Sequence, residues 1–220
     1  MTKSPGTYAA LSVNVSKPET VSYNGKSLQT SIFKKPISHP VLLTPTNLEG
    51  DGQADLERHG GADKALCAYA FDHYPYWETV IGKSLSFGAF GENLTLGGAL
   101  EEHIHIGDTF RLGEAIVQVS QPRQPCYKLS LKHGVAELPL LMKENGFTGF
   151  YFRVVAPGRI APGNRCEFIE RERNSMSVRE ANEIMHGQSP SREQMLRLIQ
   201  VKALSDNWRN RLQTKLEAMR

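Results

Sequence analysis

What most constrains this chain is a succession of short segments rich in β-branched and aromatic residues, each closed off by Gly, Pro, Asn or Asp. Residues 7–15, 28–33, 37–43, 64–70, 107–112, 116–120, 149–155 and 166–170 all read this way, which is the pattern of strands and turns. Many short strands point to a barrel or a sandwich. Helical periodicity in the same stretch is brief: residues 72–81, a turn or two from Pro125, and residues 137–145 with Gly146 as the stop. The expected fold is therefore mainly β and barrel-like, decorated by a few short helices.

After Glu170 the pattern changes. Ser177-Val178-Arg179-Glu180 and Ser191-Arg192-Glu193-Gln194 are both capping boxes, separated by Gly187 and Pro190. Ser205 can cap a third helix, on which Trp208, Leu212, Leu216 and Met219 share one face. The chain divides into a β-barrel domain over residues 1–170 and a three-helix extension over 171–220. At 220 residues and 40% apolar content, folding buries roughly 70% of the unfolded surface, enough for a core without disulfides. The three cysteines, Cys67, Cys126 and Cys166, are widely spaced and read as reduced thiols of a cytoplasmic protein. Residues 1–6 carry no apolar signal region, and no run of about 18 apolar residues could span a bilayer.

The net charge of +3 is too small to argue stable nucleic-acid binding, and its distribution is uneven. Residues 1–170 balance to −1, whereas residues 171–220 carry +4. Such a basic tail either solvates the outer faces of its helices or steers an acidic partner.

Three stretches are dense in glycine and polar residues. The first runs from Gly50 to Lys64, where Gly60 and Gly61 follow Arg58 and His59; it reads either as a long turn or as an anion-binding nest with Arg58 and Lys64 as charge partners. The second, Phe87 to Thr95, sets Glu92 and Asn93 among glycines; these two could recognise a heterocycle edge or simply bond their own turn. The third, Ser120 to Lys128, presents Cys126 after two prolines, at an expected helix start and between Arg123 and Lys128. Those neighbours favour the thiolate, and such a cysteine suits metal ligation or covalent chemistry. Cys67 and Cys166, within apolar strands, read as buried small hydrophobes. Of the seven histidines, His103 and His105 read as a strand edge, His73 and His133 as surface residues, and His59 alone falls inside a candidate site.

Gly-Asp-Gly-Gln-Ala-Asp with His-Gly-Gly-Ala-Asp-Lys, then Gly-Glu-Asn-Leu-Thr, then Gln-Pro-Arg-x-Pro-Cys together resemble the MOSC domain family, named for the C-terminal domain of molybdenum cofactor sulfurases. The resemblance covers residues 8–169, and the helical tail resembles the extension of the bacterial YiiM subgroup. It implies a β-barrel that binds the molybdenum cofactor (molybdopterin), with Cys126 as catalytic residue and molybdenum ligand. By the same matching Arg58, His59, Lys64, Asn93 and Arg123 would hold pterin and phosphate, and Glu92 would meet the pterin edge.

The implied activity is an oxidoreductase that reduces N-hydroxylated compounds, such as 6-N-hydroxylaminopurine, to amines, detoxifying the base analogue. The chain shows no iron–sulfur or flavin site of its own, so the electrons would come from a separate flavin or iron–sulfur reductase. The residues leave other readings open: a sulfur carrier with a persulfide on Cys126, a hydrolytic nucleophile with His59 as base, or a module that binds and delivers cofactor without catalysis. A homodimer is compatible with the sequence.

Overall fold

The computed structural model describes residues 6–187 and 189–219, apart from the side chain of Arg58. Seven strands close into a barrel: β1 (Thr7–Val15), β6 (Leu66–Ala70), β7 (Leu94–Gly97), β8 (Thr109–Leu112), β9 (Ala115–Pro122), β10 (Phe150–Ala156) and β12 (Arg165–Glu170). Around the barrel the order is β1-β7-β6-β10-β9-β8-β12 and back to β1. Closure depends on β1, which pairs with β12 from Thr7 to Ala9 and with β7 from Ala9 to Val13, bulging between Ala10 and Ser12. The bulge lets one strand serve both neighbours as the sheet curls. Only the β6–β7 contact is parallel among the barrel pairings.

The remaining strands are peripheral. They are the hairpin β2 (Glu19–Tyr23) and β3 (Lys26–Thr30), the short β4 (Lys35–Pro36) beside β1, and β5 (Val41–Leu43) paired with β11 (Gly158–Ile160). Residues 28–30 of the expected strand over 28–33 are thus part of one arm of a hairpin, and residues 31–33 lie outside it. Its first arm and β11 carry weak strand signals. Of the expected strand over 37–43 only residues 41–43 form one, β5, which begins just after Pro40; β4 lies before it. The glycine-rich stretch around Asn93 leads directly into β7, a central barrel strand.

β6 is buried along its whole length because it is covered on both faces. Leu66 and Ala68 point into the barrel with Phe110, Phe150 and Phe152. Tyr69 packs outward against Trp77 of α2 (Tyr74–Ile81), Phe90, Leu129 of α3 (Lys128–His133) and Met142 of α4 (Leu138–Asn145). A four-residue helix, α1 (Leu56–His59), interrupts the stretch read as a long turn.

In the C-terminal extension, α5 (Val178–His186) and α6 (Arg192–Ile199) begin at Ser177 and Ser191 with complete capping boxes, and α7 (Asp206–Ala218) begins at Ser205. Their core is built on Ile184, Met195, Leu198, Trp208 and Leu212, and the barrel contributes Ile106. Met219, expected on the apolar face, is 54% exposed. Backbone bonds fasten the extension to the barrel, from Val178 N to Ile104 O (2.8 Å) and from Ser205 N to Ser120 O (3.0 Å). Arg209 and Lys215 are committed to backbone carbonyls inside the helical unit, Arg209 at Ile199, Val201 and Leu204 and Lys215 at Met185. Among the described residues, no helix is long and apolar enough to cross a membrane.

Candidate active site

The three polar stretches meet at one end of the barrel. They enclose an inner recess of about 80 Å³ that opens into an outer chamber of about 460 Å³. Cys126, His59, Lys64, Lys128 and Tyr151 line both spaces. Cys126 therefore stands at their junction, half-buried. Its carbonyl accepts from Leu129 N at 3.0 Å, opening the turn that becomes α3. The helix starts at Lys128, three residues later than expected.

The recess is electropositive. Lys34, Lys64, Arg123 and Lys128 line it against one carboxylate, Asp51, among the described residues. Arg123 is held from two sides: its backbone N–H donates to Gly149 O (3.0 Å) and its Nη2 to Phe90 O (2.5 Å). Gly149 has a left-handed backbone (φ +73°), and a Cβ there would run into the Ala68 carbonyl, so only glycine lets the chain approach β6 this closely. Nη1 of Arg123 is buried with no hydrogen-bond partner, and an unsatisfied buried donor is costly unless a ligand completes it.

Asn93 is a cross-brace. Its Nδ2 donates to Asp51 Oδ2 (2.8 Å) and Asn14 O (3.3 Å), and its Oδ1 accepts from Cys67 N (3.2 Å). Asp51 in turn pairs with Lys34 at 2.5 Å. This fixes the lysine at the wall.

Glu92 does not line either space. It is fully buried, and its carboxylate accepts from Tyr74 Oη (2.5 Å), Gly88 N (3.0 Å), Phe90 N (3.0 Å) and Thr95 Oγ1 (2.8 Å). Burial and the adjacent Glu92 charge push the Tyr74 hydroxyl well above its usual range, so it stays a donor. The expectation of Glu92 at a pterin edge gives way to a structural role, because loop amides already occupy the carboxylate. The side chain of Arg58 lies outside the described residues.

His59 is pushed down to about 4, by burial first and then by Lys128 and Arg123. It is neutral at pH 7 and can offer one donor and one acceptor. Burial also lowers Lys64 and raises the thiols of Cys67 and Cys166, the latter to about 12. Both are buried in strands, and Cys67 also faces the recess beside Tyr151. Two histidines expected at the surface are not there. His73 is buried, bonds Glu101 at 2.6 Å and stacks on Phe147; His133 is half-buried with its Nε2 2.8 Å from Ala89 O.

Sequence reasoning missed Lys34, Asp51, Tyr151 and the α7 residues Asn207 and Arg211, which wall the outer chamber. Asp51, between Gly50 and Gly52, could have been sought as an acid within the first glycine-rich stretch, whereas Lys34, next to Lys35, carries no such signal. Tyr151 and Arg211 carry no local signal.

The donor set fits a molybdopterin-type group. The recess supplies cations and an unpaired guanidinium N–H for an anionic end, while Cys126 supplies a soft sulfur at the junction. Among the described residues no three His, Cys, Asp or Glu side chains could together hold a metal ion. A metal bound through Cys126 would bring its other ligands with it.

The MOSC domain model matches residues 55–167, and a YiiM-like three-helix domain model matches residues 176–218. The chain is 50% identical over 202 residues to the uncharacterized protein YflK of Bacillus subtilis, covering 92% of this chain and 91% of that protein. It is 30% identical over 174 residues to a protein named "Reductase" from Gibberella moniliformis, covering 76% of this chain and 30% of that protein. The crystal structure of YiiM from Geobacillus stearothermophilus superposes with a TM-score of 0.82 at 37% identity, covering 95% of this chain and 99% of that one. With barrel and helical extension both matched, the chain belongs to the MOSC domain family, in its YiiM-like branch.

Proposed function

We propose that this protein is a molybdenum-cofactor-dependent reductase of N-hydroxylated compounds, with Cys126 as the protein ligand of the metal. The observation that carries the reading is the position of Cys126 at the junction of a small cationic recess and a larger chamber. That arrangement separates a place to hold an anionic cofactor from a place to admit substrate.

When bound, the cofactor supplies a two-electron centre able to take oxygen from an N–O bond. The chain supplies the rest. Arg123, Lys34, Lys64 and Lys128 hold the anionic end by charge-assisted hydrogen bonds. Neutral His59 bonds the cofactor without adding charge. Tyr151, kept protonated by burial, offers a hydroxyl on the wall shared by both spaces. The electron donor is a separate flavin or iron–sulfur reductase, and the setting is the cytoplasm.

The test is metal analysis and turnover of protein from a host that makes the cofactor. Wild type carries molybdenum near one per chain and converts N-hydroxylated substrate to amine with a chemical reductant. Cys126→Ser, which exchanges a soft ligand for a hard one, loses turnover while folding normally. Wild-type turnover by Cys126→Ser with metal still bound would overturn the ligand assignment. A persulfide on Cys126 without metal would point to sulfur transfer instead.

A further inference from the structure

Two side-chain amides beside Cys126 leave one hydrogen-bonding atom each unpaired, and the unpaired atoms are of opposite kind. Gln121, at the end of β9, is 2% exposed, and its Oε1 is buried without a partner. Gln124, in the loop before Cys126, has a buried Nε2 without a partner. Both residues line the outer chamber together with Cys126, Tyr127 and Tyr151.

Neighbours of fixed character set the orientation of both amides. Gln124 Oε1 accepts from Arg211 of α7. Arginine can only donate, so the oxygen must face it and the NH2 group must face away. Gln121 Nε2 donates to Pro122 O at 3.3 Å. A carbonyl can only accept, so Gln121 turns its oxygen the other way. Arg211 is itself placed by the fold, because α7 begins at Ser205, whose N–H donates to the carbonyl of Ser120, the residue before Gln121. The same strand end thus carries the acceptor, the route to Cys126 and the anchor of the helix that orients the donor.

We infer that Gln121 and Gln124 form a recognition pair for the donor–acceptor edge of an amidine-like or aminoheterocyclic substrate, Gln124 Nε2 donating to a ring or imine nitrogen and Gln121 Oε1 accepting from an adjacent N–H. Both atoms are shielded from bulk water in the free protein, so a ligand with that edge completes two unmade hydrogen bonds. A ligand without it leaves both buried groups unpaired, which is where polar sites gain most of their selectivity. This assignment rests on the reductase reading only for what the substrate becomes, not for what is recognised.

The test is calorimetric titration of the full chain with adenine, which has an N–H beside a ring nitrogen and no N–O bond. Gln124→Glu keeps an acceptor for Arg211 but removes the chamber donor, and Gln121→Met keeps length but removes the acceptor. Each should weaken adenine at least tenfold. Arg211→Ala should weaken it as well, by freeing the Gln124 amide to turn, and Arg211→Lys should restore binding. Turnover gives a second readout: in Gln124→Glu the ratio of kcat/KM for 6-N-hydroxylaminopurine to that for phenylhydroxylamine, which lacks the edge, should fall at least tenfold.

Adenine that fails to bind wild type, or binds all variants alike, overturns the pair. So does a loss of adenine binding matched by loss of molybdenum, which would assign the amides to the cofactor. Edge-dependent adenine binding by a protein that reduces no N-hydroxylated compound would leave the pair standing and remove the reductase reading. Reduction with unchanged selectivity in the variants would do the reverse.

Discussion

Glu92 and Arg123 are connected through a single residue: Glu92 Oε2 accepts from the Phe90 N–H at 3.0 Å, and the Phe90 carbonyl accepts from Arg123 Nη2 at 2.5 Å. A carboxylate that never reaches the cleft thereby aims the guanidinium that does. Glu92→Gln replaces an acceptor of four donors with a group that must itself donate, forcing at least one mismatch in a fully buried loop. A loss of about 1 to 3 kcal/mol in stability is expected, together with weaker cofactor retention. Urea unfolding and metal content after dialysis measure the two effects. Retention unchanged in a destabilised variant would show that the Phe90 link does not set Arg123.

Arg123→Ala and Lys34→Ala each remove a charged donor from the recess wall. Each should reduce cofactor affinity by about ten- to a hundredfold, the equivalent of roughly 1.5 to 3 kcal/mol for a hydrogen bond to a charged group. Lys34→Ala also removes the ion partner of the Asp51 carboxylate, which is almost wholly buried and keeps, among the described residues, only the neutral donors Asn93 Nδ2 and Ser16 N, so its stability should fall further than that of Arg123→Ala. Equilibrium dialysis against released cofactor compares them. Full retention by both would place the anionic end elsewhere.

The helical extension should matter to catalysis through the chamber wall rather than through charge steering, because Arg209 and Lys215 are tied to carbonyls and Arg211 is bonded to Gln124. Trp208 is fully buried at the centre of that unit, and truncating it to alanine should cost about 3 to 5 kcal/mol. In Trp208→Ala, turnover should fall equally with a protein donor and with a small chemical reductant. A loss confined to the protein donor would restore the steering role.

Three half-buried histidines, His59, His133 and His186, are all held down to about 4, with burial the largest cause in each. Unfolded histidines take up protons near pH 6.5, whereas these refuse them in the folded state until about 4. The unfolded state binds more protons across that window, so stability should decline as pH falls from about 7 towards 4. The urea midpoint followed over that range should drop, and His133→Gln should flatten the slope. An unchanged slope would mean His133 takes its proton as easily folded as unfolded.

Local rules settled much of this protein. The capping boxes at Ser177 and Ser191 determine two helix starts because the Ser and Glu or Gln side chains satisfy amides within the same turn. The strands at 109–112, 115–122 and 150–156 carry their own apolar and β-branched signal, and Gly146 stops α4 by adopting a left-handed conformation. Cys126 stands out within its loop for the same reason, since its prolines and basic neighbours are adjacent in sequence.

The tertiary structure decided what depends on distant residues. Glu92 and Asn93 are neighbours with similar polar side chains, yet only Asn93 faces the recess, because Tyr74 and the Gly88 and Phe90 amides claim the Glu92 carboxylate. Lys34 meets Asp51 across 17 positions, and Arg211 meets Gln124 across 87. No local periodicity encodes such pairs; barrel closure and the docking of α7 on Ser120 bring them together. His73 reads as surface until Phe147 and Glu101 arrive to bury it. Burial of a polar group depends on what packs over it, so sequence determined the elements and singled out Cys126, while closure of the barrel decided which polar side chains became its cleft.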